Sequence, residues 1–287
     1  MINLEYKGIK KLKIRVDKGV AFVTIDNPPI NLMDLQLVMD LGKFSFQVEK
    51  DDDVRVIVYQ SADPEFFIAH YDVSLLTAMP KKRPSEKTEL PDNKKHIIAL
   101  RSNPKVTIAK IEGIVGGGGS EFCLSLDMRF GAIGKAIFSQ KEAMVGILPG
   151  GGGTQLLTRK MGRSRALEAM LGCDNFTAEI AERYGWINRG LPADEIGEFV
   201  DKLAYRIAMV PPETIKLIKE CVIAAEEKSL AEGLTIETNL FEIAARLPES
   251  KRRMENFLKM DGQSRESELG LDSDDQEERL REFINQE

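Results

Sequence analysis

The sequence lacks the features of disulfide-linked, zinc-binding and membrane-spanning proteins. Its three cysteines, Cys123, Cys173 and Cys221, are an odd number without C-x-x-C spacing, which predicts neither a disulfide framework nor a thiolate zinc site. The longest stretch without a charged residue, 143–158, has 16 residues and much glycine, so it is too short and too polar to cross a bilayer. Residues 1–5 contain no apolar run of the kind found in signal peptides. We therefore expect a cytoplasmic protein that does not bind membranes.

Histidines and phosphate-binding motifs are scarce as well. The two histidines, His70 and His96, have no metal-ligand partner in the sequence, so we expect no metal site. No G-x-G-x-x-G motif occurs, and no glycine-rich loop ends in Gly-Lys-Ser or Gly-Lys-Thr, which removes the usual support for a dinucleotide or P-loop site. No G-x-S-x-G elbow occurs either, so an α/β-hydrolase is not supported.

Charge is unevenly distributed along the 287 residues. The formal net charge is −6, and residues 262–287 carry nine acidic and three basic side chains, so this tail accounts for the whole excess. Residues 1–261 then hold 37 charges of each sign, and such a neutral body is unsuited to binding nucleic acid. We interpret the tail as a solvated or frayed helix rather than as a binding element.

The order of the predicted elements indicates an α/β region at the N-terminal side. Apolar residues in 12–16 and 20–25, with a turn between them, predict an opening hairpin. Helical spacing covers 35–48 and 94–100, and residues 78–95, with three prolines and mixed charge, are typical of an exposed loop. Further strands are predicted at 54–59, 106–112, 128–133 and 136–138.

The pattern changes after Gly153. No strand-like run follows, and residues 154–246 are predicted as successive helices that are punctuated by glycines and by a pair of prolines. The sequence therefore predicts an α/β region followed by a mostly helical region. It contains no sequence repeat of fixed period.

Twelve of the 23 glycines lie between Gly113 and Gly153, which singles out one region of the chain. A predicted strand runs into the four glycines at 116–119, and an amphipathic run at 121–126 leaves them. Such a turn places free backbone N–H groups at the N-terminus of a helix, where they suit an anion that is bound or that develops during a reaction. A tight strand-to-helix turn without a ligand explains the glycines equally well.

Two glutamates accompany these glycine-rich turns. Glu121 follows the first glycine cluster directly, and Glu142 precedes the second, which extends from Gly146 to Gly153. Two carboxyl groups that face one water can act as general acid and general base when their pKa values differ suitably. Their spacing in the sequence does not establish that they face each other.

Four segments, taken in order, form a recognisable set. They are 27–31 (Asn-Pro-Pro-Ile-Asn), 113–121 (Gly-Ile-Val-Gly-Gly-Gly-Gly-Ser-Glu) followed by Asp127, 142–155, and 178–192. Together they resemble the crotonase family, the enoyl-CoA hydratase/isomerase superfamily. The resemblance covers roughly residues 12–260, and the combination of the four segments makes it specific, since any one of them alone is a weak signal.

The resemblance implies an α/β fold built as a ββα spiral, followed by a C-terminal helical region used in trimer contacts. It implies an acyl-CoA thioester as the ligand, with coenzyme A as part of the substrate, and it calls for no metal and no redox cofactor. The backbone N–H groups of Gly118 and Tyr71 would form an oxyanion hole for the thioester oxygen. Glu121 would deprotonate the attacking water, and Glu142 would deliver a proton to the α-carbon of a 2-enoyl-CoA.

The same resemblance implies further contacts, domain limits and an assembly. The acyl-CoA would lie against Ile30, Phe67, Ala69, Asp72, Val73, Gly117 and Gly150. The spiral core would span 1–193, a helical oligomerisation region 194–261, and an acidic tail 262–287. We expect a homo-oligomer, a trimer or a dimer of trimers, because the apolar positions of the helical region also need cover: Ile215, Leu217, Ile218 and Val222.

Two positions depart from the family's pattern and leave the reaction open. His70-Tyr71 stands where the family usually has small residues, and a bulky ring there can narrow or re-aim the acyl pocket. Lys141 stands where a proline often precedes the second glutamate, and it can reorient Glu142 or pair with it and lower its pKa. Hydration of a 2-enoyl-CoA is the leading hypothesis. Enoyl-CoA isomerisation, another crotonase-type reaction, and a catalytically silent acyl-CoA binder are the alternatives.

Overall fold

The chain opens with the predicted hairpin. In the computed structural model, the residues described are 6–80, 89–269, 281 and 284. Strand β1 (Leu12–Asp17) pairs antiparallel with strand β2 (Val20–Ile25), and Lys18 and Gly19 form the turn between them. Every residue of β2 except Thr24 is buried, so this strand lies inside the molecule and β1 lies at the edge of the sheet.

After the hairpin, the chain forms successive turns of a spiral that feed two sheets. The other strands are β3 (Val56–Ser61), β4 (Phe66–Ile68), β5 (Val106–Ile111), β6 (Ile114–Gly116), β7 (Met128–Ile133), β8 (Ile137–Ser139), β9 (Phe176–Thr177) and β10 (Arg189–Pro192). One sheet has the order β1-β2-β3-β5-β7-β10 and is parallel from β2 onward. The other has the order β4-β6-β8-β9, with only β9 antiparallel to its neighbour. Three successive turns of the spiral, which contain β3 and β4, β5 and β6, and β7 and β8, therefore each contribute one strand to each sheet. A helical segment follows each turn.

Helices close each turn and then dominate the C-terminal part. Within the described ranges they are α1 (Leu35–Glu49), α2 (Val73–Thr77), α3 (Asp92–Arg101), α4 (Gly118–Leu124), α5 (Gly153–Gly172), α6 (Ala178–Tyr184), α7 (Ile196–Ala208), α8 (Pro212–Glu227), α9 (Leu230–Arg246), α10 (Pro248–Lys259) and α11 (Arg265–Leu269), and a 3₁₀ turn covers Glu142–Val145. The side chain of Asp34 accepts a hydrogen bond from the Leu37 amide and caps α1, which buries its Leu37, Leu41 and Phe44 face.

Apolar cores lie on both faces of the six-stranded sheet. In β2, the alternate residues Ala21 and Val23 belong to the core shared with α1, α4 and the small sheet, whereas Val20 and Phe22 belong to the core beneath α7. A strand that is covered on both sides reads as a continuous apolar run, which is why 20–25 gave a strong signal. The larger core carries Trp186 near the glycine-rich turn, where its indole N–H donates to Ser120 Oγ at 3.3 Å.

The α/β class and the ββα spiral are confirmed, but the expectation of no strand after Gly153 is wrong. Two short strands follow it: β9 adds to the small sheet beside β8, and β10 adds to the large sheet beside β7. The sequence of β10, Arg-Gly-Leu-Pro, has little intrinsic strand preference, so its extended form depends on pairing with residues that are distant in the chain. The three-residue strands β4 and β6 escaped prediction for the same reason.

The predicted loop at 78–95 is partly a helix. Residues 81–88 lie outside the described residues, and α3 already begins at Asp92 rather than near 94. Of the acidic tail, the structure describes residues 262–269, which include α11, and positions 281 and 284. The carbonyl of Ile284 accepts a hydrogen bond from Arg252 at 2.8 Å. Among the helices described, none combines the length and the apolar character needed to span a membrane.

Candidate active site

The turn between β6 and α4 brings two of the predicted site residues together. Gly117 has φ 48° and ψ −124°, which glycine adopts without strain, and α4 begins immediately after it at Gly118. A β-carbon placed on Gly118 would lie 2.8 Å from the Cβ atom of Tyr71 and 3.4 Å from its backbone nitrogen. Glycine is needed for this approach, and the two residues predicted to form an oxyanion hole therefore lie side by side.

The backbone N–H groups of these two residues are available as donors. Met33 N donates to His70 O at 2.9 Å and Asp72 N donates to Met33 O at 3.1 Å, so the bridge to Met33 uses the neighbours of Tyr71 and not its own N–H group. Gly118 is the first residue of α4, and the first N–H groups of a helix have no partner within it. Within the ranges described, neither N–H group donates a hydrogen bond to the protein. Two adjacent free donors suit an oxygen that gains negative charge.

The predicted Asn-Pro segment anchors the strand β4, which leads into the site. Asn31 is almost fully buried, and its Nδ2 donates to Ser61 Oγ at 2.8 Å and to the carbonyls of Phe66 and Phe67 at 3.2 Å each. Its Oδ1 accepts a hydrogen bond from the Asn27 amide at 2.7 Å. The amide side chain therefore fixes the position of β4, and through β4 the position of the residues that follow it.

Glu121 lies in α4 and points at the beginning of α5. Its side chain is buried, and Oε1 accepts hydrogen bonds from the amides of Gly151 at 2.6 Å and Gly153 at 2.8 Å. Burial, and after it the negative charge of Glu142, raises the pKa of Glu121 to about 7, while the two amides oppose the shift. A carboxyl group with a pKa near 7 can exchange protons at neutral pH. Glu142 borders the turn that opens α4, since a β-carbon on Gly117 would lie 3.3 Å from Glu142 Oε1.

Glu142 opens the 3₁₀ turn on the other side of the site. Its Oε1 accepts a hydrogen bond from Gln140 Nε2 at 2.8 Å, and burial raises the pKa of the carboxyl group above its ordinary value. Gln140 is fully buried, and its Nε2 also reaches the carbonyl of Gly117 at 3.3 Å. Among the described residues, the buried side-chain polar atoms without a hydrogen-bond partner are Glu142 Oε2 and Gln140 Oε1. Both belong to this site, where a polar atom left unpaired suggests a ligand-directed group.

The suggestion that Lys141 pairs with Glu142 and lowers its pKa is wrong. Lys141 Nζ instead donates to Asn175 Oδ1 at 2.6 Å on the exposed side of the turn. Successive residues of this short turn point in different directions, which leaves the Glu142 carboxyl group with Gln140 and burial as the causes acting on its pKa. Glu142 therefore has an environment that suits a proton donor.

The histidine beside Tyr71 is exposed at the rim of the site. Nδ1 of His70 lies 2.9 Å from the carbonyl oxygen of Tyr71, and this contact holds the imidazole ring against the backbone of the next residue. A β-carbon on Gly117 would lie 3.5 Å from the Cβ atom of His70, so this residue borders the glycine turn. In the part of the chain that the structure describes, no group of three or more His, Cys, Asp or Glu side chains is arranged to hold a metal ion.

Two of the predicted acyl-CoA contacts have side chains that are already engaged elsewhere. Phe67 is 0% exposed, and its side chain packs in the large core. Asp72 caps α2, because its Oδ1 accepts the amide of Ser74 at 2.9 Å. The other predicted contacts are Ile30, Ala69, Val73, Gly117 and Gly150. Ile30 and Ala69 are joined by a backbone hydrogen bond of 3.3 Å.

Sequence reasoning missed the two amide side chains that organise the site. Gln140 holds Glu142, and Asn31 holds β4, yet neither was chosen as a site residue. A polar residue that directly follows a predicted strand, as Gln140 follows β8, was the available signal for the first. For Asn31, the signal was its place within the Asn-Pro segment.

Comparison with known proteins assigns the class of the protein. The family model described as enoyl-CoA hydratase/isomerase matches residues 15–262. The match covers most of the chain and includes every residue of the site described above. The chain therefore belongs to the enoyl-CoA hydratase/isomerase family, as the four sequence segments indicated.

Individual relatives share the same general name. A mitochondrial protein of Dictyostelium discoideum, named as a probable enoyl-CoA hydratase, is 30% identical over 245 residues, which are 83% of this chain and 84% of the relative. The short-chain-enoyl-CoA hydratase of Clostridium acetobutylicum is 28% identical over 240 residues, or 83% of this chain and 91% of the relative. A crystal structure from Streptomyces avermitilis that carries the enoyl-CoA hydratase name is 37% identical, with a TM-score of 0.69, and covers 97% of this chain and 100% of that one.

Proposed function

We propose that this protein is an enoyl-CoA hydratase, which adds water across the double bond of a 2-enoyl-CoA thioester. The observation that carries the proposal is the placement of two carboxyl groups, the buried Glu121 and the half-buried Glu142, beside a pair of free N–H donors. Two carboxyl groups and one oxyanion site are the parts that hydration needs. The names of the relatives support the same reaction.

The N–H groups of Gly118 and Tyr71 would bind the thioester oxygen. When a nucleophile adds to the β-carbon, the electrons of the double bond move toward the thioester, and its oxygen gains the charge of an enolate. Donors that are fixed in advance stabilise this charge without reorganisation, and each is worth roughly 2.7–4 kcal/mol of the barrier. Gly118 N lies at the first turn of α4, where the backbone N–H groups point at the oxygen.

The two glutamates would move the protons. Water gives a proton to the Glu121 carboxylate while its oxygen bonds to the β-carbon. Glu142 then gives its proton to the α-carbon, and the thioester carbonyl forms again. One proton enters the pair and one leaves it, so the reaction neither oxidises nor reduces the substrate. We therefore propose no redox cofactor and no metal, with coenzyme A present as part of the substrate.

The hydration rate is expected to follow a bell-shaped dependence on pH. Burial and the neighbouring Glu142 charge raise the pKa of Glu121 to about 7, so the two carboxyl groups titrate as a coupled pair. The mechanism needs one proton on the pair: with two protons no base is left, and with none no acid is left. We therefore expect kcat/KM to fall as the pH rises above about 7 and to fall again in the acidic range. A rate that keeps increasing well beyond neutral pH would contradict the one-proton requirement.

Replacing Gln140 with leucine is expected to lower kcat about tenfold and to move the alkaline limb of this curve to higher pH. The hydrogen bond from Gln140 Nε2 favours the ionised form of Glu142, so its loss raises the pKa of that carboxyl group further. Lys141→Leu is the matched control. Lys141 donates its hydrogen bond to Asn175 and not to Glu142, so its replacement should leave the pH profile unchanged. A loss of kcat with an unshifted profile would indicate disturbed packing and not a positioning role for Gln140.

The direct test is the loss of ultraviolet absorbance from crotonyl-CoA when the purified protein is added. Titration calorimetry with butyryl-CoA measures binding independently of turnover. Binding together with hydration supports the proposal. Migration of the double bond in a 3-enoyl-CoA without hydration points to the isomerase. Binding without turnover of short, medium or aromatic enoyl-CoA substrates points to the silent binder, with His70-Tyr71 as the altered part of the site.

We also propose a homo-oligomer, a trimer or a dimer of trimers, built through the helical region at 194–261. Ile215 is buried within its own chain, contrary to the expectation that it needs cover, but Ile218 and Val222 are 56% and 59% exposed. Further exposed apolar side chains follow on α9 and α10: Leu230, Leu234, Phe241, Ile243, Met254 and Leu258. Light scattering should give three or six times the chain mass of 32.1 kDa, and the mass of a single chain would contradict the proposal.

The cytoplasm is the location that we propose. Cys123, Cys173 and Cys221 are all free thiols in the structure, which suits a reducing compartment. The division of the chain at 193 and 261 belongs to the same proposal, with residues 262–287 as an acidic tail.

A further inference from the structure

Ion pairs connect three helices that are distant in the sequence: α3, α5 and α8. Arg101 is the last residue of α3, and its Nη2 lies 2.7 Å from Glu226 Oε2 and 3.5 Å from Glu227 Oε1. These two glutamates are the last residues of α8. Glu226 Oε1 also lies 4.0 Å from Nζ of Lys160 on α5. The carboxylate of Glu226 therefore faces cations from both α3 and α5.

The pair between Arg101 and Glu226 is shielded from solvent on the side of the cation. The side chain of Arg101 is 11% exposed and that of Glu226 is 36% exposed. Partly buried pairs are screened by water and salt much less than surface pairs. Without Glu226, Arg101 would keep the longer contact to Glu227, so its charge would remain compensated while the attachment of α3 to α8 becomes weaker.

One turn before Arg101, the same face of α3 packs on the first turn of α5. A β-carbon on Gly152 would lie 3.3 Å from Ile97 Cδ1 and 3.8 Å from Ile97 Cγ2, so Ile97 lies directly against this glycine. The residues on both sides of Gly152 donate their amides to Glu121 Oε1, at 2.6 and 2.8 Å. Helix α3 therefore supports the segment of backbone that holds the Glu121 carboxyl group.

We propose that Arg101 and Glu226 are positioning residues for Glu121. Their ion pair holds α3 on the first turn of α5, and this contact keeps the two amides of that turn on the Glu121 carboxyl group. Both residues act through helices and not by contact with a substrate. The effect on catalysis rests on the proposed function, whereas the effect on the amides of α5 does not depend on it.

The experiment is hydrogen–deuterium exchange of the full-length protein, measured on peptides that contain the amides of Gly151 and Gly153. In Glu226→Gln these amides are expected to exchange about tenfold faster, because the bonds to Glu121 open more often. Arg101→Met should have the same effect, and Arg101→Lys, which keeps a cation for Glu226, a smaller one.

Two controls accompany the exchange measurement. Glu220→Gln replaces an exposed glutamate of the same helix α8 and should leave the exchange at Gly151 and Gly153 unchanged. Peptides from the buried strand β2 should exchange equally in every variant, which checks that the variants fold. Light scattering should give the mass of the unchanged protein, because the ion pair lies within one chain.

Kinetics give a second measurement that a merely stabilising ion pair would not affect. For Glu226→Gln we expect kcat with crotonyl-CoA to fall about tenfold, with nearly unchanged binding of butyryl-CoA. Burial and the charge of Glu142 raise the pKa of Glu121, whereas the two amides of α5 and the positive charge of Lys94 on α3 lower it. A displacement of α3 and of the first turn of α5 weakens the contributions that lower this pKa. The pair of glutamates then keeps its proton to higher pH, and the alkaline limb of the rate profile moves upward.

The outcomes separate this proposal from the proposed function. Unchanged exchange at Gly151 and Gly153 in both Glu226→Gln and Arg101→Met would overturn it. Equally faster exchange in β2, or a smaller mass by light scattering, would assign the effect to global stability or to assembly and would also overturn it. Local exchange that is faster, with kcat and the pH profile unaltered, would refute the role in catalysis. If the unchanged protein does not hydrate crotonyl-CoA, faster local exchange still supports the positioning of Glu121, and the proposed function alone fails.

Discussion

Replacing either Glu121 or Glu142 with glutamine is expected to reduce kcat for crotonyl-CoA hydration by about 10²- to 10⁴-fold. Glutamine keeps the shape of the side chain and removes its ability to exchange a proton. Glu121 is buried and Glu142 is half-buried, and burial raises the pKa of both carboxyl groups. Glu121→Gln removes the base that activates water, and Glu142→Gln removes the acid that protonates the α-carbon.

The double variant distinguishes a pair from two independent groups. If the two glutamates act together in one proton transfer sequence, the fold-loss of kcat in the double variant is smaller than the product of the losses in the two single variants. Calorimetry with butyryl-CoA should show nearly unchanged binding in all three variants, because neither carboxyl group holds the thioester. Glu198→Gln, on the exposed face of α7, provides the control. Full activity in Glu142→Gln would exclude it as the acid and would favour a one-glutamate, isomerase-like mechanism.

Replacing Gly118 with proline is expected to lower kcat about 10²- to 10³-fold by removing one of the two oxyanion donors. Gly118 is the first residue of α4, a position where proline is compatible with helical geometry. The loss of the N–H group is therefore the intended change, although any β-carbon here approaches the Cβ atom of Tyr71 at 2.8 Å.

Gly118→Ala is the matched control for that approach. Alanine introduces the same β-carbon and keeps the N–H group, so it separates crowding by the β-carbon from the loss of the donor and the added proline ring. We expect alanine to lose less activity than proline, and the difference to appear mainly in kcat. Equal losses in the two variants would mean that crowding against Tyr71, and not hydrogen bonding, accounts for the effect.

Predictions of fold succeeded where the signal is local. The bounds of the hairpin, α1, β5 and β7 were predicted almost to the residue. Runs of buried β-branched residues and helical spacing are patterns of neighbouring residues, so they can be recognised in the sequence itself. The short strands β4, β6, β9 and β10 were missed because two to four residues cannot show a period. Their form depends on partners elsewhere in the chain, and pairing of that kind leaves no local pattern.

Predictions of the site divide in a similar way. The glycine clusters pointed to Glu121 and Glu142 from the residues alone, because each carboxyl group stands beside a glycine-rich turn. Gly118 was selected within the first cluster only through the resemblance. Tyr71 was found only through the resemblance, since its contribution is a backbone group that any residue except proline carries. The direction of the Lys141 side chain could not be predicted, because a short turn sends adjacent residues to opposite sides.

The hydrogen bonds from Gly151 and Gly153 to Glu121 also make the carboxylate a tertiary cap. Helix α5 begins at a glycine that offers no side chain of its own, and the acceptor for its first amides comes from 32 residues upstream. The carboxyl group that we propose as the catalytic base therefore also caps a helix. Substitutions at this position are then of two kinds: glutamine retains an acceptor oxygen and silences the chemistry alone, whereas alanine also frays the start of α5. Any redesign of this enzyme that removes the carboxyl group at 121 has to supply another acceptor for that helix.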